Sequence, residues 1–248
     1  MVKHTSILQK LISCLVSALT TIALLLVLGN SGTLTWFPPS VVFSLVGLCF
    51  IAALIWPFIW HYQEGKQKIN SGNVYRFLNT VVIYTTAFNL ASFGWKKIFG
   101  LQFIVPQTIA EKPMNQQSGE WLTWFYFGYS QSFGLILAMI QIIGSCFLIF
   151  RRTFLLAAII LFAFMLNLTL INIFYQMNGG ALIQSILLTL GLSYLIFTDY
   201  QRLKIFFLQS LSSIQTITIK NAAVKSLLRL STIILSLLFT LYLKSIRN

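Results

Sequence analysis

Residues that commonly do chemistry are scarce in this sequence. Its 248 residues include two histidines, three cysteines and four acidic side chains. Cys14, Cys49 and Cys146 each lie inside an apolar run, with neither Cys-x-x-Cys spacing nor a neighbouring histidine. Metal sites and haem ligation need such groups close together. We therefore predict no metal centre and no bound cofactor, and the absence of a catalytic residue set favours a protein that is not an enzyme.

Side-chain amides and hydroxyls recur at helical spacing in three apolar stretches. Residues three and four apart share one face of a helix. The rows are Tyr75, Asn79 and Thr86; Gly134, Ala138, Gln141 and Ser145; and Met165, Thr169, Asn172 and Gln176. An amide facing lipid would be costly, so each row is predicted to face the interior of a helical bundle. The rows either line a polar cavity or bond neighbouring helices to one another.

The composition predicts that the elements carrying these rows are membrane helices. Hydrophobic residues make up 57% of the chain and charged residues 8%, against about 25% charged in a soluble domain. The net charge of +13 comes from Lys and Arg placed singly or in pairs between apolar stretches. That distribution is typical of topology signals and not of a nucleic-acid-binding patch. The predicted fold is an all-α, polytopic transmembrane bundle whose partner is the lipid bilayer.

Seven apolar runs are predicted to cross the membrane, since about 20 helical residues span a hydrocarbon core. They cover residues 11–28, 41–62, 76–95, 121–150, 154–177, 181–198 and 227–243. The fourth run is too long for one straight span, and residues 128–134 are predicted to separate an interfacial helix from the membrane helix. The fifth and sixth are predicted to form an antiparallel hairpin. For the last run, which contains Arg229, an amphipathic helix on the cytoplasmic surface is the alternative.

The distribution of positive charge predicts the orientation. With seven spans and a cytoplasmic N-terminus, 12 of the 17 Lys and Arg residues lie on the cytoplasmic side, as the positive-inside rule requires. We predict a multi-pass protein of a bacterial plasma membrane. The polar connection at residues 96–120 is then an external loop or lid, at whose start Lys96 and Lys97 either hold an anionic headgroup or snorkel to the interface.

From residue 76 to residue 207 the sequence resembles the DoxX-like membrane proteins, especially a group found in Bacteroidetes. The resemblance lies in short motifs distributed over this segment. They are Phe93-Gly94-Trp95-Lys96-Lys97-Ile98-Phe99, Gln102-Phe103 with Pro106, Trp124 with Gly128-Tyr129-Ser130, Phe150-Arg151-Arg152-Thr153, and Asn167 with Asn172 and Tyr175.

The resemblance implies three regions. Residues 1–75 would hold two N-terminal membrane helices and a cytoplasmic loop, residues 76–205 a DoxX-like four-helix core, and residues 206–248 a basic linker and a C-terminal helix. DoxX-like proteins are associated with membrane redox systems, including a quinone-linked one, so the resemblance implies quinone as a ligand. It also carries over five candidate site positions: Lys97, Gln102, Arg151, Asn172 and Tyr175. Gln141 stands where many relatives have a Glu.

These observations leave three functions open. The first is a non-catalytic DoxX-like subunit that binds a partner protein of a redox or envelope system, a lipid or a quinone. The second is a membrane oxidoreductase component in which Gln141, Asn172 and Tyr175 hydrogen-bond a quinone carbonyl. The third is a small-molecule transporter, which the absence of an acid in the middle of any predicted span makes less favoured.

Overall fold

The computed structural model describes residues 6–29, 37–209 and 222–247, which form helices joined by short connections. In chain order the helices are α1 (Ile7–Leu28), α2 (Pro39–Gly65), α3 (Ser71–Ile98), α4 (Gln107–Ala110), a 3-10 turn (Met114–Gln116), α5 (Gly119–Tyr129), α6 (Gln131–Ile149), α7 (Phe154–Phe174), α8 (Gly179–Thr198), α9 (Tyr200–Lys204), a π-helical turn (Ile205–Gln209) and α10 (Ala222–Arg247).

Short polar side chains cap the beginning of five of these helices. A cap oxygen accepts a hydrogen bond from a backbone N–H of the first turn, which would otherwise have no partner. The cap side chains are Ser6 of α1, Asn70 of α3, Ser118 of α5, Ser130 of α6 and Asn178 of α8. Ser130 also ends α5, so the predicted break within residues 128–134 is confirmed.

Several predicted helix boundaries differ from those in the structure. The helix predicted to start at residue 76 begins at Ser71, because Asn70 caps it five residues earlier. The connection predicted over residues 96–120 is shorter, since α3 continues to Ile98 and α5 begins at Gly119. Between them lie α4 and the 3-10 turn.

The chain divides into two compact units, residues 1–204 and 205–248. Within the first unit, α3 packs against α1, α6 and α8, α7 packs against α6 and α8, and α2 packs against α1. A core of Leu, Ala, Val and Ile side chains fills the space between the helices. The N-terminal helices therefore belong to the same compact unit as α3 and α6 to α8. In the second unit, α10 contains a shorter apolar stretch, Ile233–Lys244; residues 210–221 of the predicted linker lie outside the described residues.

Five of the described helices are long and apolar enough to cross a membrane: α1, α2, α6, α7 and α8. Their outward faces expose large apolar side chains, such as Leu48 and Phe58 on α2 and Ile136 on α6. Water would not stabilise such surfaces, whereas acyl chains do. The chain is a multi-pass helical membrane protein. α3 is not among the five because amides and hydroxyls such as Asn79, Thr86 and Asn89 lower its hydropathy.

A buried ion pair joins one end of α1 to the end of α2. The Lys10 ammonium is fully buried, forms a salt bridge with the Glu64 carboxylate and lies 3.2 Å from Nδ1 of His61. Ser71 Oγ donates to the other Glu64 oxygen, and Trp60 Nε1 donates to Ser71 Oγ at 2.9 Å. Lys10, which the charge count assigns to the cytoplasmic side, is therefore also a structural charge that holds three helices together.

Replacing Glu64 with Gln is expected to destabilise the bundle strongly, because it leaves the Lys10 ammonium buried without a counter-charge. Breaking one half of a buried pair costs about 3 to 5 kcal/mol. Unfolding in mixed micelles of SDS measures the loss. The double variant Lys10→Met/Glu64→Leu should lose less than the two single variants together, and Lys66→Met, which removes an exposed ammonium, should change little. Equal effects of Glu64→Gln and Lys66→Met would contradict the role of the pair.

Close approach of α3 and α6 depends on Gly94. A Cβ built there would lie 2.6 Å from Cγ1 of Ile142 and 3.0 Å from the Ala138 carbonyl oxygen. Side-chain motion can relieve the first contact but not the second, because the second is to backbone.

Gly94→Ala should therefore push the two helices apart and destabilise the protein by about 1 to 3 kcal/mol, as overpacking generally does. Gly47→Ala is the matched control, since a Cβ at Gly47 on α2 meets no atom within 4 Å, and alanine is the better helix former. Unfolding midpoints of the two variants test this. A Gly94→Ala protein as stable as Gly47→Ala would show that the helices do not approach so closely.

Candidate functional site

A cavity of about 140 Å³ lies inside the first unit, where α3 ends and α8 begins. Residues from α3, α5, α6, α7 and α8 line it, together with the segment that follows α3. The apolar wall includes Phe93, Phe103, Phe127, Leu137, Phe164, Met165, Leu168, Ile171 and Leu188; the polar lining is Lys97, Gln102, Thr123, Trp124, Gln141, Asn172, Gln184 and Ser185. The lining contains no acid, histidine or cysteine among the residues described.

Lys97 and Gln141 form the polar centre of this cavity. Lys97 Nζ donates to Gln141 Oε1 at 2.8 Å and to the Phe93 carbonyl oxygen at 3.4 Å. Gln141 is almost completely buried on α6, next to the buried small residues of its row, Ala138 and Ser145. Three of the four residues in the row predicted on α6 are thus buried, and Gln141 presents its amide oxygen to the ammonium. The fourth, Gly134, is not part of the close contact, since a Cβ there would meet no atom within 4 Å.

Aromatic rings line the cavity where α5 borders it. Phe103 stacks on Phe127, with ring centroids 5.5 Å apart, and meets the edge of Trp124 at 5.8 Å. Lys97 Nζ lies 5.7 Å from the Phe103 ring centroid, within cation–π range. Phe103 has a φ of 63°, a left-handed conformation that is rare for a bulky side chain. The ring packing therefore holds a strained residue at the cavity.

The first turn of α5 is attached to the end of α7 and the beginning of α8. A Cβ at Gly119 would lie 2.6 Å from the Tyr175 carbonyl oxygen, so only glycine fits there. Asn178 Nδ2 donates to Glu120 Oε1 at 2.9 Å. These contacts hold α5 in place, so that Thr123, Trp124 and Phe127 line the cavity.

Two further amides bind helices to each other at the cavity wall. Asn172 Nδ2 donates to Ser185 Oγ at 2.9 Å and to the Ala181 carbonyl oxygen at 3.1 Å, joining α7 to α8 as the predicted hairpin requires. Gln184 Nε2 donates to the Ala23 carbonyl oxygen and to Asn89 Oδ1, both at 2.9 Å, joining α8 to α1 and α3.

Four of the six candidate residues line this one cavity: Lys97, Gln102, Gln141 and Asn172. Tyr175 does not, because α7 ends at Phe174 and Tyr175 follows as its C-cap, 49% exposed. Arg151 also lies elsewhere, exposed in the turn after α6. It is ten residues beyond Gln141, or about 15 Å along a helix at 1.5 Å per residue.

Sequence reasoning missed Trp124, Phe103 and Gln184 as cavity residues. Gln184 is buried, and Gly191, seven residues later on α8, is tightly packed. Their helical spacing could therefore have indicated that this face of α8 is buried. Phe103 had no such signal, because its position depends on the left-handed turn that follows α3.

Comparison with known proteins gives no match to a family model, a curated protein or a solved structure. Within the described residues, no three His, Cys, Asp or Glu side chains lie close enough together to hold a metal ion.

Proposed function

We propose that this chain is a non-catalytic, DoxX-like subunit of a bacterial plasma membrane that binds a lipid-soluble ligand, a quinone or a lipid, in its cavity and assembles with a membrane partner protein. The observation that carries the proposal is the cavity, which brings Lys97, Gln102, Gln141 and Asn172 together inside an apolar wall. Binding sites for small molecules are largely apolar, with a few convergent polar groups.

The proposed topology has seven spans and a cytoplasmic N-terminus. The five apolar helices supply five spans. We assign α3 as one more span, because α1, α6 and α8 surround it and shield its polar side chains from lipid. The seventh is α10. In this topology the cavity faces the outer half of the membrane, and the Lys10–Glu64 pair lies at the cytoplasmic end.

The size of the cavity supports a ligand with one ring. An engineered apolar cavity of about 150 Å³ binds benzene, and the volume here is about 140 Å³. A quinone head would fit among the Phe side chains, with Gln141 and Asn172 near its carbonyl groups. The same arrangement supports a second candidate function, an oxidoreductase component that acts with quinone, in which the Gln141 amide donates to a carbonyl oxygen. Asn172 would join it by exchanging one of its two bonds to α8 for a bond to the quinone, and Tyr175 takes no part.

A decyl-substituted benzoquinone tests the proposed function. Calorimetry with the detergent-purified protein should detect saturable binding, and Gln141→Leu should weaken it about tenfold through the loss of one hydrogen-bonding group worth about 1.4 kcal/mol. Met139→Leu is the control, since Met139 lies on the same helix with its side chain exposed. A protein that binds no quinone, and that purifies alone without bound lipid or partner, would count against the proposal.

A further inference from the structure

Among the residues that the structure describes, no acidic side chain pairs with the Lys97 ammonium. The chain has four acidic side chains, and each has a partner elsewhere. Glu64 pairs with Lys10, Asp199 with Arg202, Glu111 accepts from Gln107, and Glu120 accepts from Asn178. Lys97 is left with neutral acceptors, Gln141 Oε1 and the Phe93 carbonyl. These use two of the three hydrogens of its ammonium group.

A second donor at the same cavity is unused. Trp124 Nε1 is buried and has no hydrogen-bond partner among the described residues. An indole N–H donates and cannot accept, so it requires an acceptor, and leaving it unpaired costs free energy. Both donors lie near the Phe103 ring, whose centroid is 5.7 Å from Lys97 Nζ and 5.8 Å from the centroid of the Trp124 ring.

Gln102 is compatible with the same kind of ligand. Its Oε1 is also buried without a partner. The two ends of a side-chain amide have nearly the same shape, so rotation about the last bond presents the NH₂ group in place of the oxygen. With the Gln102 amide in this orientation, three donors border the cavity: an ammonium, an indole N–H and an amide N–H. The described lining contains no acid that could neutralise the ammonium.

We infer that the ligand of this cavity is a monoanion, a carboxylate attached to a ring-sized apolar group, whose oxygens accept from Lys97 and Trp124. This inference rests on the proposed function, because it specifies the head group of the lipid-soluble ligand. A neutral quinone carbonyl would satisfy the indole but leave the ammonium uncompensated. A carboxylate satisfies both, and charge-assisted hydrogen bonds are the stronger kind.

Two probes of the same shape isolate the charge. Para-hexylbenzoate carries the carboxylate, and para-hexylbenzamide replaces it with a neutral amide on the same ring and tail. Calorimetry with the full-length protein in a non-ionic detergent should give a dissociation constant for the benzoate at least about tenfold lower than for the benzamide.

Variants then assign the preference to its residues. Lys97→Met should remove the preference for the benzoate, whereas Lys97→Arg should retain it because the positive charge remains. Lys96→Met is the matched control: Lys96 is in the same helical turn but outside the cavity lining, and its loss should leave the preference unchanged. Trp124→Phe should weaken benzoate binding several-fold while keeping the ring packing.

The outcomes separate this inference from the proposed function. If the benzamide binds as tightly as the benzoate, or if Lys97→Met and Lys96→Met behave alike, the inference is wrong even where decyl-benzoquinone binds. If neither ring compound nor the quinone binds, the proposed function fails as well. Circular dichroism and size-exclusion profiles confirm that each variant is folded before its binding is compared.

Discussion

The cost of leaving a polar group unpaired in lipid determines how this bundle is assembled. Backbone amides find their hydrogen-bond partners within the helices, so only the polar side chains still need partners. Tyr194 from α8 donates to Asn79 of α3 at 2.7 Å and lies 2.9 Å from Ser13 of α1. Gln184, nearer the beginning of α8, connects the same three helices a second time. The helix that is richest in such groups, α3, is the one that apolar neighbours enclose.

The same constraint distinguishes the fully buried Lys10 from Lys97, which is only partly buried. Lys10 and Glu64 neutralise each other, and Ser71 with Trp60 completes their hydrogen bonds, so that end of the bundle is closed and structural. Lys97 has only neutral partners and borders a cavity. A ligand can therefore supply a counter-charge to Lys97, whereas Glu64 already supplies one to Lys10.

Much of this arrangement could be predicted from the sequence because it is local. Apolar length indicated the membrane helices, and the spacing of Ala138, Gln141 and Ser145 indicated one buried face. The Lys10–Glu64 pair could not be predicted, since its members are 54 residues apart and each looked like an ordinary charge at a helix end. The row of Asn172 is predicted to continue to Gln176, but the helical period no longer applies once α7 ends at Phe174. Tyr175, which the resemblance alone carries over, follows the helix as its C-cap.

Accessibility of spin labels in lipid vesicles tests the central claim most directly, namely that apolar faces meet acyl chains while polar groups face inward. Labels would be attached to introduced cysteines at Leu48 and Ile136, which are 63% and 58% exposed, and at fully buried Val82, in a background without native cysteines. The account predicts high collision rates with oxygen and low rates with a water-soluble nickel chelate at Leu48 and Ile136, and low rates with both at Val82. Nickel accessibility at Leu48 and Ile136 as high as at exposed Lys66 would contradict it.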